Sequence, residues 1–298
     1  MPKNKEYGNE SIKSLKGADR VRKRPAVIFG SDGIEGCQHS IFEIMSNSID
    51  EAREGRGNKI IVTRFEDGSV EIQDFGAGIP VDYNSAEKTE NWKLLFCEMY
   101  AGGKYDAGSD NYEYSLGLNG LGLCATQYAS EYMDAEIHRD GFCYKLHFEH
   151  GENIGGLDKQ PYDKKDTGSR IKWKPDLKVF TDINVPLDYF KETIKRQAIV
   201  NDGVTFVLKN QTGAKFETFE YSYKNGIKDY VEELAADTAF TSPQYWECER
   251  VGRDRADLKD YKLTKIDTHK FNVTYQKDAF KNKVEEVTVT EYNVELKK

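Results

Sequence analysis

Glu43, Asn47 and Glu51 recur at i, i+4 and i+8, so on a helix over 42–52 a carboxylate and a carboxamide project side by side one turn apart. That pair suits a site that polarises a water and holds a hard cation through oxygen. Ile41, Met45, Ile49 and Ala52 form a separate apolar stripe at helical spacing, and a surface helix with a charged face fits the same pattern. The heptapeptide Asp74-Phe75-Gly76-Ala77-Gly78-Ile79-Pro80 follows a predicted strand. A carboxylate there, followed by glycines, lets backbone approach a flat ligand and accepts a hydrogen bond from an exocyclic amine; an ordinary strand-to-loop turn reads the same way. Gly102-Gly103-Lys104 and Gly117-Leu118-Asn119-Gly120-Leu121-Gly122 precede an apolar run at 123–125. Such a loop feeding a helix presents N–H groups to phosphate oxygens, with Lys104 as an added cation, although a flexible loop has the same composition. It is neither G-x-x-x-x-G-K-[ST] nor a G-x-G-x-x-G in dinucleotide-binding context. Thr167-Gly168-Ser169 offers a hydroxyl at a strand start to support Asp74.

The elements that must position these residues alternate. Strands are predicted at 60–65 and 70–74 around a turn at Asp67-Gly68, and at 132–138 and 142–150 around Asp140-Gly141. A polar, glycine-rich stretch over 82–122 is too long for a plain connector. A strand at 169–173, a helix at 187–201 and strands at 204–208 and 216–221 follow. Beyond a boundary placed near residue 222 come a short helix at 227–236 and a charged, strand-rich tail, with alternation at Val287 and Val289 and at Tyr292, Val294 and Leu296.

The chain has 298 residues, enough for two domains, and no internal repeat. It has no apolar run long enough to cross a bilayer and no secretion-signal core at its N-terminus, so no membrane partner is expected. The five cysteines are odd in number and lack metal-ligand spacing, which predicts reduced thiols in a cytoplasmic protein. The net charge of −8 argues against a surface whose main task is gripping nucleic acid, without excluding a DNA-acting machine whose DNA-binding surfaces lie elsewhere.

Taken in order, the helix, the heptapeptide, the glycine segments and Thr167-Gly168-Ser169 resemble the Bergerat-fold (GHKL) ATPases. That group includes type II topoisomerases, mismatch-repair ATPases, heat-shock chaperones and sensor histidine kinases. Ile12-Lys13-Ser14-Leu15-Lys16-Gly17, Val21-Arg22-Lys23-Arg24-Pro25 and Ala101-Gly102-Gly103-Lys104-Tyr105 narrow the resemblance to the B-type ATPase subunits of DNA gyrase and topoisomerase IV, over about residues 7–235. The resemblance implies an α+β fold: a two-layer sandwich of a mixed, mostly antiparallel sheet with helices on one face over 1–222. A partial α/β transducer-like domain, expected to be truncated, follows over 223–298. It implies ATP as ligand and Mg2+ as cofactor, Glu43 as general base with His39 one turn before it, and Asn47 as magnesium ligand. Asp74 reads the adenine amine with Thr167 supporting it through a water, while Gly76, Gly78 and Ile79 wall the base. Gly102, Gly103, Lys104, Tyr112 and the loop Gly117, Leu118, Asn119, Gly120, Leu121 and Gly122 close over phosphates and sugar. Tyr7 and Ile12 match an arm that reaches a second copy in an ATP-dependent homodimer. The full-length assembly would act on DNA with an A-type cleavage subunit. A regulatory module of the same fold with little or no hydrolysis is the alternative.

Three positions depart from the family pattern. Ser46 stands in place of an acidic residue, Asn119 in place of a histidine, and Ala77 in place of an arginine. The last predicts a missing rim salt bridge and a more open base pocket. No lysine of the second domain is assigned to the terminal phosphate, so slow turnover is expected.

Overall fold

The computed structural model describes residues 14–101, 120–237, 244–249, 261–278 and 281–296. In chain order the elements open with three helices, α1 Asp19–Arg22, α2 Pro25–Phe29 and α3 Ile34–Arg53. Strands β1 Lys59–Arg64, β2 Val70–Asp74, β3 Tyr83–Asn84 and β4 Thr89–Glu90 follow, then helices α4 Asn91–Cys97 and α5 Gly122–Tyr128. Four strands come next: β5 Ser130–Arg139, β6 Phe142–Glu149, β7 Glu152–Pro161 and β8 Gly168–Pro175. Helix α6 Leu187–Val200, strands β9 Thr205–Thr212 and β10 Lys215–Ser222, and helix α7 Ile227–Asp237 complete the larger part. The chain divides into two compact units, Met1–Tyr230 and Val231–Lys298.

The first unit is built on an eight-stranded sheet in the order β10-β9-β1-β2-β8-β5-β6-β7. Every neighbouring pair is antiparallel except β1 and β9. Burial alternates along the strands as period-2 geometry requires: Met133, Ala135 and Ile137 of β5 and Tyr144, Leu146 and Phe148 of β6 are buried, while the residues between them are not. Helices cover the buried face, so the architecture is the mixed two-layer sandwich expected. In α3 the stripe Ile41, Met45 and Ile49 is buried, with Ile44 beside it. The predicted hairpins form at the predicted turns. Asp67 Oδ1 accepts the Ser69 N–H at 2.9 Å, and Asp140 and Gly141 both have positive φ, which suits the twist of a two-residue hairpin.

Helices α1, α2 and α4 and strands β3, β4 and β7 lie where the sequence pattern predicts none. Within the 82–122 stretch, α4 buries Trp92 and Phe96, and Phe96 stacks on Phe148 at 5.4 Å between ring centroids. Strand β7 forms the sheet edge and is mostly exposed, so it lacks the apolar alternation that marks a strand in sequence.

Helix α1 is tied to the end of the sheet by a partly buried knot. Arg22 donates to Asp176 Oδ2 at 2.5 Å and to the carbonyls of Tyr128 and Ser130, and His150 Nδ1 lies 2.9 Å from the same Asp176 oxygen. Burial pushes the Asp176 carboxyl up, but Arg22, the Lys178 N–H and His150 together hold it below the usual carboxylate range.

In the second unit, β11 Gln244–Glu249, β12 Tyr261–Asp278 and β13 Lys281–Leu296 form an antiparallel sheet in the order β11-β13-β12. The strand-rich tail expected from sequence is thus present. Among the described residues no helix is long and apolar enough to cross a membrane.

Candidate functional site

Asp74 ends β2, and its position follows from pairing with β8, which aligns Val70–Gln73 with Trp173–Arg170 and brings Ser169 alongside. Its side chain is buried and holds three donors. Gly76 N–H and Ser169 N–H reach Oδ1 at 3.0 and 3.1 Å, and the Ser48 hydroxyl of α3 reaches Oδ2 at 3.0 Å. Burial pushes the carboxyl above its ordinary value, those three donors pull against it, and the nearby Glu51 charge adds to the rise. A group so placed has a strong demand for a further hydrogen-bond donor.

The loop after Asp74 is pinned at each residue that was predicted to wall a flat ligand. Thr167 donates to the Gly76 carbonyl at 2.6 Å, Arg139 to the Gly78 carbonyl at 2.7 Å, and Ile79 N–H to Ser169 Oγ at 3.1 Å. Gly168 has φ +140, and a Cβ there would lie 2.3 Å from the Asp74 carbonyl oxygen, so only glycine lets β8 pass this close to the end of β2. Thr167 therefore touches the loop itself, while Ser48 and Ser169 are the side chain and backbone that touch Asp74. Ser48 carries no label in the sequence beyond being a small polar residue on the buried side of α3.

The expected loss of a rim ion pair needs correcting. Glu51 receives both Arg56 Nε and Nη2, at 2.9 and 2.8 Å, and its Oε2 also accepts the Ala77 N–H at 3.2 Å. An arginine from the turn after α3 thus supplies the cation that position 77 lacks, and bidentate geometry makes it a firm pair despite its partial exposure.

At the other end of the α3 face, Glu43 packs against the start of α5. A Cβ at Gly122 would sit 2.0 Å from Glu43 Oε2, so the absence of a side chain there leaves the carboxylate its place. His39 Nε2 lies 3.0 Å from Glu43 Oε1 and its Nδ1 lies 3.2 Å from the Phe29 carbonyl oxygen, so both ring nitrogens face acceptors. Asn47 lies between the two ends, half-buried, and makes no side-chain hydrogen bond among the described residues. Its amide oxygen is a hard donor with no partner among the described residues, which fits a magnesium ligand. Glu43 and Ser48 are separated by roughly 7.5 Å along the helix axis. Tyr100 N–H donates to the Gly120 carbonyl at 3.1 Å, so the chain leaving Tyr100 returns beside the same helix start. Gly120 is thus held by Tyr100, Leu121 precedes α5, and Gly122 is the residue that meets Glu43. Tyr7, Ile12, Gly102, Gly103, Lys104, Tyr112, Gly117, Leu118 and Asn119 lie outside the described residues.

A profile of the histidine kinase-, DNA gyrase B-, and HSP90-like ATPases matches residues 33–179, the span that contains Glu43, Asn47, Asp74, Gly122 and Thr167. Residues 33–179 belong to this ATPase family. Among curated relatives, the DNA gyrase B protein of Thermotoga maritima is 35% identical over 234 residues, covering 76% of this chain and 35% of the gyrase protein. The mitochondrial DNA gyrase B protein of Arabidopsis thaliana is 36% identical over 239 residues, covering 78% and 33%. The DNA topoisomerase 4 B protein of Staphylococcus aureus is 35% identical over 233 residues, covering 78% and 34%. The chain spans about a third of the length of the curated relatives it matches.

Proposed function

We propose that this chain is the ATP-binding and ATP-hydrolysing part of a B-type subunit of a type II DNA topoisomerase, in which nucleotide-driven pairing of two copies gates passage of DNA. The observation that carries the reading is one helix, α3, presenting Ser48 to a buried Asp74 at one end and Glu43 to the glycine start of α5 at the other. The adenine amine donates to Asp74, with Gly76, Gly78 and Ile79 against the base. Gly102, Gly103, Lys104, Tyr112 and the 117–122 loop take the phosphates. Asn47 would hold Mg2+, which when bound neutralises phosphate charge. Glu43 accepts a proton from the water that attacks the terminal phosphorus as the bond to the departing ADP oxygen breaks, and His39 fixes the carboxylate. Residues 223–298 are assigned to the start of a transducer domain, Tyr7 and Ile12 to the arm between copies, and an A-type cleavage subunit to the full-length assembly, acting in the cytoplasm.

Calorimetric titration with magnesium and a non-hydrolysable ATP analogue tests the reading. Wild type binds, and Asp74→Ala binds about ten- to a hundredfold more weakly, since a hydrogen bond to a charged group contributes about 1.5–3 kcal/mol. Glu43→Ala keeps nucleotide affinity and loses hydrolysis. Equal affinity in wild type and Asp74→Ala refutes the base site. Tight binding with no turnover in wild type supports the regulatory-module alternative instead.

A further inference from the structure

On the face of the sheet opposite α3, the β5–β6 hairpin assembles a second group of side chains that the nucleotide chemistry does not use. Glu136 and His138 are two residues apart on β5 and so share a face, and His138 is paired directly with Cys143 across the hairpin. Among the described residues, these three are the set whose ligand atoms (a carboxylate oxygen, an imidazole nitrogen and a sulfur) all lie within 4.8 Å of one another. We propose that Glu136, His138 and Cys143 bind one borderline-soft divalent cation of the zinc class, with a water as fourth ligand.

The surroundings divide the donors' tasks. His138 Nε2 lies 3.3 Å from Glu136 Oε1, the spacing of two ligands on neighbouring corners of a tetrahedral site, roughly 3.3–3.7 Å. The other carboxylate oxygen, Oε2, is taken by Arg170 at 2.9 Å and Lys145 at 3.5 Å, which leaves Oε1 to coordinate alone. The imidazole is stacked on Tyr162 with centroids 4.0 Å apart, and its Nδ1 is turned toward Asp166 Oδ2 at 3.8 Å. A carboxylate behind Nδ1 is the outer-shell partner that orients a metal-binding histidine through its other nitrogen. Tyr162 in turn donates to Asp166 at 2.9 Å, so ring and carboxylate are held together. Binding forms bonds from the cation to Oε1, Nε2 and Sγ, and the Cys143 thiol proton goes to solvent. The donor set separates this site from Asn47, which offers only oxygen to a hard ion.

Cobalt titration of the full chain, followed by absorption, tests the site. Wild type takes up one equivalent of Co2+ with a near-ultraviolet thiolate-to-metal charge-transfer band and visible bands of tetrahedral cobalt, and Zn2+ bleaches both while Mg2+ does not. Cys143→Ser loses the charge-transfer band. Glu136→Gln, a change at a partly exposed position, keeps the fold by circular dichroism and weakens Co2+ affinity at least tenfold. Absence of the band in wild type overturns the proposal. Its persistence in Cys143→Ser also does so, because another cysteine would then be the ligand.

Discussion

Among single residues, Asp74 is the group whose surroundings ask most of it. Its carboxyl titrates above the unfolded value because burial outweighs three hydrogen-bond donors. Folding therefore takes up a proton as pH falls through the folded value toward the unfolded one, and the ionised carboxylate costs stability at neutral pH. Asp74→Asn keeps an oxygen for Gly76 and Ser169, and Ser48 can turn its hydroxyl to accept from the amide. The expected outcome in urea unfolding is an Asn variant gaining stability relative to wild type near neutral pH, with the difference shrinking as pH is lowered into the carboxylate range. A difference that grows on acidification would contradict the burial argument. Ser48 and Arg56 show the limit of legibility here. Nothing local distinguishes Ser48 from Ser46, yet one meets Asp74 and the other donates to the Glu43 carbonyl of its own helix.

Between elements, the contact of α3 with α5 sets where the Glu43 carboxylate stands. Gly122→Ala places a methyl on the Glu43 carboxylate, so Glu43 must swing or α5 must retreat. The closest conflict, at 2.0 Å, is with the end of a side chain, and Glu43 Cβ at 3.0 Å has to give only slightly, so the fold survives while the carboxylate is misplaced. The measured result should be a fall in kcat of about tenfold or more with Tm little changed, because displacing a general base forfeits part of its roughly 10²–10⁴-fold contribution. Unaltered turnover would mean that Glu43 does not act from where it stands. Elements are legible in the sequence where periodicity is strong, as in α3, α6 and the two hairpins. Helix α4 is not, because its apolar run of Trp92, Leu94, Leu95 and Phe96 is confined to a seven-residue element with polar and glycine-rich chain on either side. Nor is β7, since an edge strand with few apolar contacts has no reason to alternate.

Across the molecule, the buried core of described residues runs from Val21 to Tyr223, and every described site residue falls inside the unit that ends at Tyr230. A chain ended after Asp237 should then bind the ATP analogue with unchanged affinity by calorimetry; a loss beyond about tenfold would place essential contacts in the second unit. The chemical inventory is written in the sequence alone. Helical spacing sets Glu43 beside Asn47, glycine placement marks where backbone comes close, and the order of segments discloses the ATPase family. Those are local properties, carried within a few turns of chain. Packing alone settles which groups from distant segments meet: Ser48 with Asp74, Arg56 with Glu51 in place of a residue at 77, Gly122 with Glu43, and Cys143 with His138. Each of these depends on strand register or helix packing, where a shift of one residue exchanges the partner, and no single stretch of sequence carries that information.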